Sequence, residues 1–401
     1  MGLNKPIDGI TKADLDELIS NQIPESTTRE YKESLPLDKP EEKKEFVRDV
    51  CAFANTHGGD IIYGVREDKG KGIPKELCGI PLENPDRWRQ CIENLIGDGT
   101  SPKIYGVQIG NPVAIGNERV VVVIRIPRSF HAPHMVVCGG DDRFYYRTSA
   151  GRPRLDVSGL RTLFGMGDTF ATRTQAFQAE RLSKIQAGHT PVPLVDGPKY
   201  ILHLVPFDAF TPQSRYDLSW FADHPVELAK AGRWLASCDL ERSRYNFDGL
   251  VVYLPHYRET EPREWYIQCF RNGIIEIVTM EHKWRDQNES EEPVIVDCEE
   301  WASRAVKKYL KVLGGMSIAP PAFVLLSLLG VKGRRLSRID PCYPGVRLTM
   351  SGEPFKEDNL VLPEIVMEDF ECDVSKQMEP AFEIVWNAAG LPRAKTTQAG
   401  P

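Results

Sequence analysis

The sequence predicts an α+β protein of two domains, the first built on a mixed sheet and the second on an antiparallel sheet. Three observations predict this class. The chain has 401 residues, more than one ordinary hydrophobic core accommodates. Its first part alternates short apolar strands with amphipathic helices. Its second part carries several strands in succession, two of them joined by Arg271-Asn272-Gly273, which is typical of a hairpin turn.

The composition indicates a globular protein of a reducing compartment. Apolar residues make up 41% of the chain and charged residues 27%, with a net charge of -7. No apolar run approaches the roughly 20 residues of a membrane span, and the first residues lack the pattern of a signal peptide. Nine cysteines without a C-x-x-C pair are typical of reduced thiols. We therefore expect a cytoplasmic protein that does not associate with membranes.

The first part of the chain, residues 1–165, contains three predicted helices and at least four strands. Thr11 is a candidate N-cap for a short amphipathic helix that follows it. The main helix, Phe46 to Ala54, is expected to stop at Gly58-Gly59, where glycines allow a tight turn. The other predicted elements are a helix over 82–96 and strands over 61–65, 107–109, 120–126 and 143–147.

Beyond this part, the helix-forming run Phe170 to Ala187 predicts a connector helix, and the proline-rich stretch after it marks a boundary. Residues 166–198 are therefore expected to link the first domain to a second α+β domain over 199–390, with a disordered tail over 391–401. The predicted elements of the second domain are strands over 200–205, 250–254, 264–270, 274–279 and 323–329, and a helix over 301–313.

Charged residues near Glu25 form the most informative local pattern. Glu25 and Glu30 are five residues apart, so they reach one site only if Glu25 lies in a loop or helix end and Glu30 in a strand. In a strand, Glu30 and Lys32 face the same side. The apolar strand Ile61 to Val65 follows the main helix, and the acids Glu67 and Asp68 come after it.

These residues belong to a longer series of motifs. The series is E-S-x(3)-E-Y-K, C-A-F-A-N-T-x-G-G and I-x-Y-G-V, followed by Pro127-Arg128-Ser129, Pro133-His134 and Phe144-Tyr145-Tyr146-Arg147. It resembles the Schlafen AlbA-type domain, also described as a divergent AAA-type DNA-binding domain, over about residues 20 to 165. Schlafen-family nucleases use two glutamates and one aspartate to cut tRNA and rRNA, so the resemblance implies a nucleic-acid-binding domain with such a site.

The resemblance implies that Glu25, Glu30 and Asp68 are catalytic metal ligands and that Lys32 assists them. Hard carboxylates suit Mg²⁺ or Mn²⁺, which activates water and stabilises charge on a phosphate. Glu67 is the alternative third acid, because Arg66 occupies a position where the family pattern is acidic. The plain alternative is that all of these are solvated surface acids.

Basic and aromatic residues predict a nucleic-acid interface in the same domain. Arginines are densest between Arg143 and Arg161, with tyrosines interleaved, a pattern that suits a phosphate backbone and its bases. The alternative is a solvated strand face. The candidate nucleic-acid-binding residues are Lys43, Lys44, Arg48, His134, Arg143, Tyr146, Arg147, Arg152 and Arg154.

Two other ligands are not expected. His131, His134 and Cys138 lack a fourth zinc ligand, and Gly70-Lys71-Gly72 lacks the spacing of a phosphate-binding loop, so we predict neither zinc nor ATP. Asn55 and Thr56 are expected to hold a turn through side-chain to backbone hydrogen bonds rather than to contact substrate.

The sequence therefore supports two hypotheses from different classes. The first is a divalent-metal-dependent endoribonuclease acting on structured RNA, with tRNA as the expected partner and a role in phage defence or stress. The second is a non-catalytic nucleic-acid-binding regulator. Because only one Schlafen-type lobe is recognisable, we also expect a homodimer or a second domain that completes the RNA-binding cleft.

Overall fold

The computed structural model describes residues 3, 7–37, 39–68, 72–81, 84–149, 151–211, 215–232, 241–255, 261–280, 294–296, 298–316, 318–339 and 348–393. The predicted disordered tail falls largely outside these residues. The described chain divides into two compact units, 1–171 with 314–321, and 172–313 with 322–401. We call them the first and second domains. The division lies within one helix, whereas the sequence predicts a connector over 166–198.

Within the described residues, the first domain contains three α-helices and the beginning of a fourth. They are α1 (Lys12–Ser20), α2 (Pro40–Ala54), α3 (Pro85–Gly99) and α4 (Val157–Gln186), which continues into the second domain. Its strands are β1 (Arg29–Lys32), β2 (Gly59–Tyr63), β3 (Val65–Asp68), β4 (Ile73–Leu77), β5 (Ile80–Pro81), β6 (Thr100–Ser101), β7 (Gln108–Ile109), β8 (Val113–Gly116), β9 (Arg119–Ile126), β10 (Met135–Val136) and β11 (Arg143–Phe144).

The main sheet of the first domain is mixed, as the sequence predicts. Its strands run in the order β1-β2-β9-β5, with β7 and β8 also paired to β9. β1 is parallel to β2, whereas β9 is antiparallel to β2, β5, β7 and β8. Two smaller sheets, β11-β10-β6 and β3-β4, complete the domain.

Helices cover both faces of this sheet. On one face, Phe46, Val50 and Phe53 of α2 pack with α3 and with alternate residues of β2 and β9. On the other, Leu15 and Leu18 of α1 pack with the remaining alternate residues. Tyr31 of β1 belongs to the α1 side, so Glu30 and Lys32 must face α2. This alternation positions the site described below.

The turn from α2 into β2 depends on glycine. Gly58 has a φ of 69°, and a Cβ at this position would lie 2.6 Å from the carbonyl oxygen of Ile126. A side chain is therefore excluded by conformation and by space. Asn55 closes the turn with buried bonds, because its Nδ2 donates to the carbonyls of His134 and Tyr145 and its Oδ1 accepts from the His134 amide. Thr56 Oγ1 donates to the Ala52 carbonyl, so the predicted structural role of both residues is confirmed.

The second domain is built on an antiparallel sheet of eight strands, which confirms the predicted α+β class. The strand order is β13-β14-β15-β16-β12-β18-β21, with β22 also paired to β18. The strands are β12 (Lys199–Pro206), β13 (Arg242–Tyr245), β14 (Gly249–Tyr253), β15 (Trp265–Phe270), β16 (Ile275–Met280), β17 (Val294–Val296), β18 (Ala322–Leu329), β19 (Arg335–Ile339), β20 (Leu348–Ser351), β21 (Asn359–Val361) and β22 (Ile365–Met367). Strands β17, β19 and β20 form a separate sheet.

Four further helices belong to the second domain, and the C-terminal half of α4 packs on its sheet through Leu182 and Ile185. They are α5 (Ser219–Asp223), α6 (Pro225–Gly232), α7 (Glu299–Gly315, of which the last two residues fall in the first domain) and α8 (Val374–Ala388). The amphipathic α7 buries Trp301, Tyr309 and Leu310. Among the described helices, none is both long enough and apolar enough to span a membrane.

Candidate functional site

Strand β1 brings Glu30 and Lys32 together on the side that faces α2. Lys32 Nζ donates to Glu30 Oε1 at 2.6 Å, as the alternation of the E-x-K element predicts. On its other oxygen, Glu30 Oε2 lies 2.6 Å from Arg147 Nη2. Burial favours the neutral form of Glu30, but these two cations outweigh it and hold its pKa below the usual value. Glu30 is therefore an ionised carboxylate with a cation on each oxygen.

Helix α2 adds a carboxylate that the sequence analysis did not single out. Asp49 is only 1% exposed. Its oxygens lie 2.9 Å from Arg152 Nη1, 3.6 Å from Arg147 Nη1 and 3.7 Å from Lys32 Nζ. We call Glu30, Lys32, Asp49, Arg147 and Arg152 the charged cluster. The signal for Asp49 was present in the sequence, because it lies on the same helical stripe as Phe46, Val50 and Phe53.

Asp49 is electrostatically unusual. Neither of its carboxylate oxygens accepts a hydrogen bond from the part of the chain that the structure describes. Burial raises the pKa of Asp49 to about 6, against the opposing effects of Lys32, Arg152 and Arg147. An acid that titrates near neutrality inside a charged cluster is the kind of group that functional sites contain.

Glu25 lies beside this cluster, in the loop before β1. Its backbone amide donates to the Gly72 carbonyl at 2.7 Å, and its Oε1 accepts from the Tyr31 amide at 2.9 Å. Burial, then the nearby charges of Glu30 and Glu67, raise the pKa of Glu25 to about 7. Glu25 therefore lies in a loop and Glu30 in a strand, which is the arrangement that the sequence analysis requires for the two side chains to reach one site.

Asp68, the predicted third acid of the site, and Glu67, its alternative, lie in different environments. Glu67 is half-buried on β3 and acts electrostatically on Glu25, whereas Asp68 is exposed at the end of that strand. Arg66, which departs from the family pattern, pairs with Glu33 and Glu76. The structure thus brings Glu67 close to Glu25, although the sequence analysis favoured Asp68.

These acids do not form a metal centre as they stand. Among the described residues, no three His, Cys, Asp or Glu side chains lie close enough together to hold a metal ion. Glu30 has an ion pair on each oxygen, and Glu25 has one oxygen in a backbone hydrogen bond. A divalent cation bound there would share Glu30 with Lys32 and Arg147, which compete with it for the carboxylate.

Three of the predicted nucleic-acid-binding residues, Arg48, Arg152 and Arg154, line one surface pocket of about 390 Å³ together with Tyr145 and Pro153. We call it the arginine pocket. Arg152 Nη1 donates to the Glu45 carbonyl and Nη2 to its carboxylate, at 2.6 and 2.8 Å. Through its contact with Asp49, Arg152 also joins the pocket to the charged cluster.

The wall of the arginine pocket is held by Asp141. Arg48 Nε donates to Asp141 Oδ2 at 2.5 Å, and the Tyr145 hydroxyl donates to the same oxygen at 3.0 Å. Burial favours the neutral form of Asp141, but Arg48 and Tyr145 hold its pKa below the usual value. The pocket therefore presents guanidinium groups in fixed orientations rather than on free side chains.

The other exposed candidates lie around this region or on its elements. Lys44 Nζ donates to the Gly139 carbonyl at 3.4 Å, and Arg143 Nη1 lies 3.7 Å from Asp141. Tyr146 is half-buried, with its amide bonded to the Pro153 carbonyl at 3.1 Å. Lys43 is half-buried on α2.

Two predicted contacts are buried instead. Arg147 is only 6% exposed, and its guanidinium donates to the carbonyls of Ser26 and Arg29 and stacks over the Phe53 ring. His134 is buried with Nδ1 at 2.7 Å from the Pro102 carbonyl, and burial lowers its pKa to about 4. Both side chains are covered in this structure, which does not favour their predicted contact with nucleic acid. Sequence density of arginines does not reveal which of them the fold covers.

The first domain is thus an α+β domain in which clustered arginines lie beside buried acids. Residues 25–156 match the family model described as Schlafen, AlbA_2. This part of the chain is accordingly similar to the Schlafen AlbA_2 domain, and the similarity indicates a nucleic-acid-related function. The resemblance identified from the motifs is confirmed for this part of the chain.

Comparison with solved structures gives a similar chain, the N-terminal domain of an ATP-dependent DNA helicase RecG-related protein from Nitrosomonas europaea, determined by NMR. It is 23% identical, the match covers 33% of this chain and 84% of that chain, and the TM-score is 0.25. A TM-score this low carries no argument about fold or function. No curated protein matches the chain.

Proposed function

We propose that the first domain binds nucleic acid and that the arginine pocket holds a phosphate of its backbone. The observation that carries this proposal is the convergence of Arg48, Arg152 and Arg154 on one pocket. Guanidinium groups match phosphate oxygens in geometry and stay charged at all relevant pH values. Because Arg48 and Arg152 are already oriented by carboxylates, little side-chain entropy is lost when a phosphate enters.

The test uses the whole protein and a fluorescently labelled RNA, with binding followed by anisotropy over a range of salt concentrations. Arg154→Ala removes an exposed guanidinium from the pocket and should weaken binding to all sequences alike. The slope of log K against log salt should become shallower by about one for the lost phosphate contact. Arg87→Ala, which removes an exposed arginine of α3 that does not line the pocket, is the matched control. Equal slopes for Arg154→Ala and wild type would remove the pocket from the interface.

The second candidate function is cleavage of structured RNA such as tRNA with Mg²⁺ or Mn²⁺. One observation favours it: Glu30 and Glu67 both lie close enough to Glu25 to act on it, and their repulsion contributes to the raised pKa of Glu25. A cation between such acids would relieve that repulsion. The ion pairs of Glu30 oppose this, which is why binding without cleavage is our first proposal and corresponds to a non-catalytic regulator.

Cleavage is tested by incubating the purified protein with total tRNA in Mn²⁺ or in EDTA, and metal binding by calorimetric titration of Mn²⁺ alone. Glu67→Gln and Asp68→Asn compare the two possible third acids without touching a buried cation. Loss of cleavage in Glu67→Gln with retention in Asp68→Asn is expected. If tRNA stays intact with Mn²⁺, only the binding proposal remains. Cleavage that persists in EDTA would exclude a metal-dependent mechanism.

Three finer predictions accompany this proposal: a homodimer, a cytoplasmic location and a role in phage defence or stress. The first has a direct measurement, because mass photometry distinguishes a dimer from a 45.2 kDa monomer. The other two follow from the family resemblance, and phage challenge of cells with and without the protein tests the last.

A further inference from the structure

One end of the second domain's sheet gathers three chain segments. The β13–β14 turn and the β15–β16 turn lie side by side there, since the Arg271 amide donates to the Asp248 carbonyl at 3.2 Å and Arg271 Nη2 to the Asn246 carbonyl at 3.4 Å. The segment before α5 joins them, because the Tyr216 amide donates to the Arg271 carbonyl at 2.9 Å. We call the exposed residues Arg215, Tyr245, Phe247 and Arg271 the sheet-end patch.

The aromatic side chains of this patch are strongly exposed. Phe247 is 97% exposed and Tyr245 54%. Within the described residues, neither ring packs against another aromatic ring. A phenylalanine almost wholly in water gains nothing from burial, so the folded second domain does not account for its presence.

The turn does not need a phenylalanine either. Asn246 holds it, because Asn246 Oδ1 accepts from the Gly249 amide at 2.8 Å and Asn246 Nδ2 donates to Gln268 Oε1 at 2.6 Å. Gly249 supplies the remaining requirement, since its φ is 157° and a Cβ there would collide with the Cys269 carbonyl oxygen. The turn therefore does not require a phenylalanine at position 247, which indicates that this side chain serves in binding.

Charges of both signs lie around the patch, Arg215 and Arg271 together with the exposed Asp217 and Asp248. Asp217 is engaged locally, since its carboxylate accepts from the amide and hydroxyl of Ser219 at 2.9 and 2.8 Å. Asp248 acts on the buried guanidinium of Arg181. Within the described part of the chain, Arg215 and Arg271 make no ion pair with a carboxylate. Two arginines without an ion pair among the described residues therefore lie beside two exposed aromatic rings.

We propose that the sheet-end patch binds a single-stranded stretch of nucleic acid. Bases stack on Phe247 and Tyr245, and Arg215 and Arg271 hold the flanking phosphates. Exposed aromatic rings combined with cations are the recurring means of binding unpaired strands, because every base offers a face for stacking. This assigns a nucleic-acid contact to the second domain and rests on its own side chains, independently of the arginine pocket.

The experiment measures anisotropy of a fluorescently labelled 12-nucleotide oligouridine with the full chain. Phe247→Ala should weaken binding by roughly 5- to 100-fold, the range that loss of one base stack produces. Phe247→Trp should restore it, because a larger ring still stacks. Since Phe247 is exposed, all three proteins should melt at the same temperature. Val361→Ala, at an exposed apolar residue of β21, is the control for nonspecific apolar contact.

Arg271→Ala should weaken oligouridine binding and make its salt dependence shallower. Equal affinity of wild type and Phe247→Ala for the oligouridine, or no binding by wild type, overturns the proposal and leaves the patch as a contact for another protein. Loss of RNA binding in Arg154→Ala with unchanged binding in Phe247→Ala would keep the function proposed for the first domain while removing this one. The two proposals therefore fail separately.

Discussion

Two buried carboxylates, one in each domain, show how differently a protein can treat the same chemical group. Glu276 on β16 is 0% exposed and accepts four hydrogen bonds. Arg181 Nε and Nη2 donate to it at 2.8 Å each, the Tyr266 hydroxyl at 2.9 Å, and His203 Nε2 lies 2.9 Å away. Asp49 in the first domain has cations nearby but accepts no hydrogen bond within the described residues.

The pKa values of the two acids move in opposite directions. Burial favours the neutral form of both. At Glu276 the bonds from Arg181 and His203 outweigh burial and lower its pKa to about 2. At Asp49 burial prevails and raises the pKa to about 6. The comparison teaches that hydrogen-bonding geometry, rather than the presence of cations, decides whether a buried acid is a structural ion or a group poised to exchange a proton.

The largest effect is expected when the satisfied acid is changed. Glu276→Gln removes the charge that compensates the buried Arg181, and breaking a buried pair on one side costs about 3–5 kcal/mol. We expect a loss of this size in the free energy of unfolding of the second domain, measured by urea denaturation. The bond from His203 on β12 and that from Arg181 on α4 are lost together, so α4 should loosen from the sheet.

A matched variant on α4, at the residue next to Arg181, is the control for Glu276→Gln. Glu180→Gln breaks the exposed pair with Lys184 one turn away, and such surface pairs contribute about 0.3–0.5 kcal/mol. Similar small losses for Glu276→Gln and Glu180→Gln would mean that the buried network stabilises the second domain no more than a surface pair does.

The sequence predicts the fold well wherever hydrophobic periodicity is strong. The strands β9, β12, β15, β16 and β18 and the helix α7 lie within one or two residues of their predicted bounds. The predicted bounds are less accurate for helices whose sequences contain residues of low helix propensity. The sequence predicts a helix from Phe170, whereas α4 begins at Val157, because Gly159 and Gly165 lower helix propensity and hide the first turns. Packing overrides that local preference.

The site is predicted only in part. Alternation along a strand is enough to pair Glu30 with Lys32, and motif spacing is enough to bring Glu25 to them. Burial is a property of the whole fold, so the sequence could not separate the covered Arg147 from the exposed Arg154. Asp49 was missed because a single acid in an amphipathic helix is read as part of its solvated face, although its position on the apolar stripe indicates otherwise.

The opposite pKa shifts predict opposite pH dependences of stability. Glu276 has a folded pKa below its ordinary value of 4.5, so its contribution is complete above that value and is lost as the pH falls toward 2. Asp49 has a folded pKa above its ordinary value of 3.8, so the folded state holds the proton more tightly. Its contribution is present at low pH and is lost as the pH rises through about 6.

Asp49→Asn is the smallest and most specific test of the comparison. The groups that face Asp49 are Lys32, Glu30, Arg147, Arg152 and Tyr63, and the variant leaves all of them in place. Above pH 6 asparagine replaces an ion that burial disfavours, so stability should be unchanged or higher. Between about pH 4 and 6 the fall in stability expected for wild type should flatten, because no proton is released there.

The measurement is the free energy of unfolding of the first domain from urea curves at several pH values. Asp16→Asn, at an exposed acid paired with Lys12 on α1, controls for general charge effects and should leave the slope between pH 4 and 6 as in wild type. Parallel pH profiles for wild type and Asp49→Asn would show that Asp49 stays ionised throughout this range. Asp49 would then behave like Glu276. Its three neighbouring cations would be enough to keep it ionised, and hydrogen-bonding geometry would not explain the difference between the two acids.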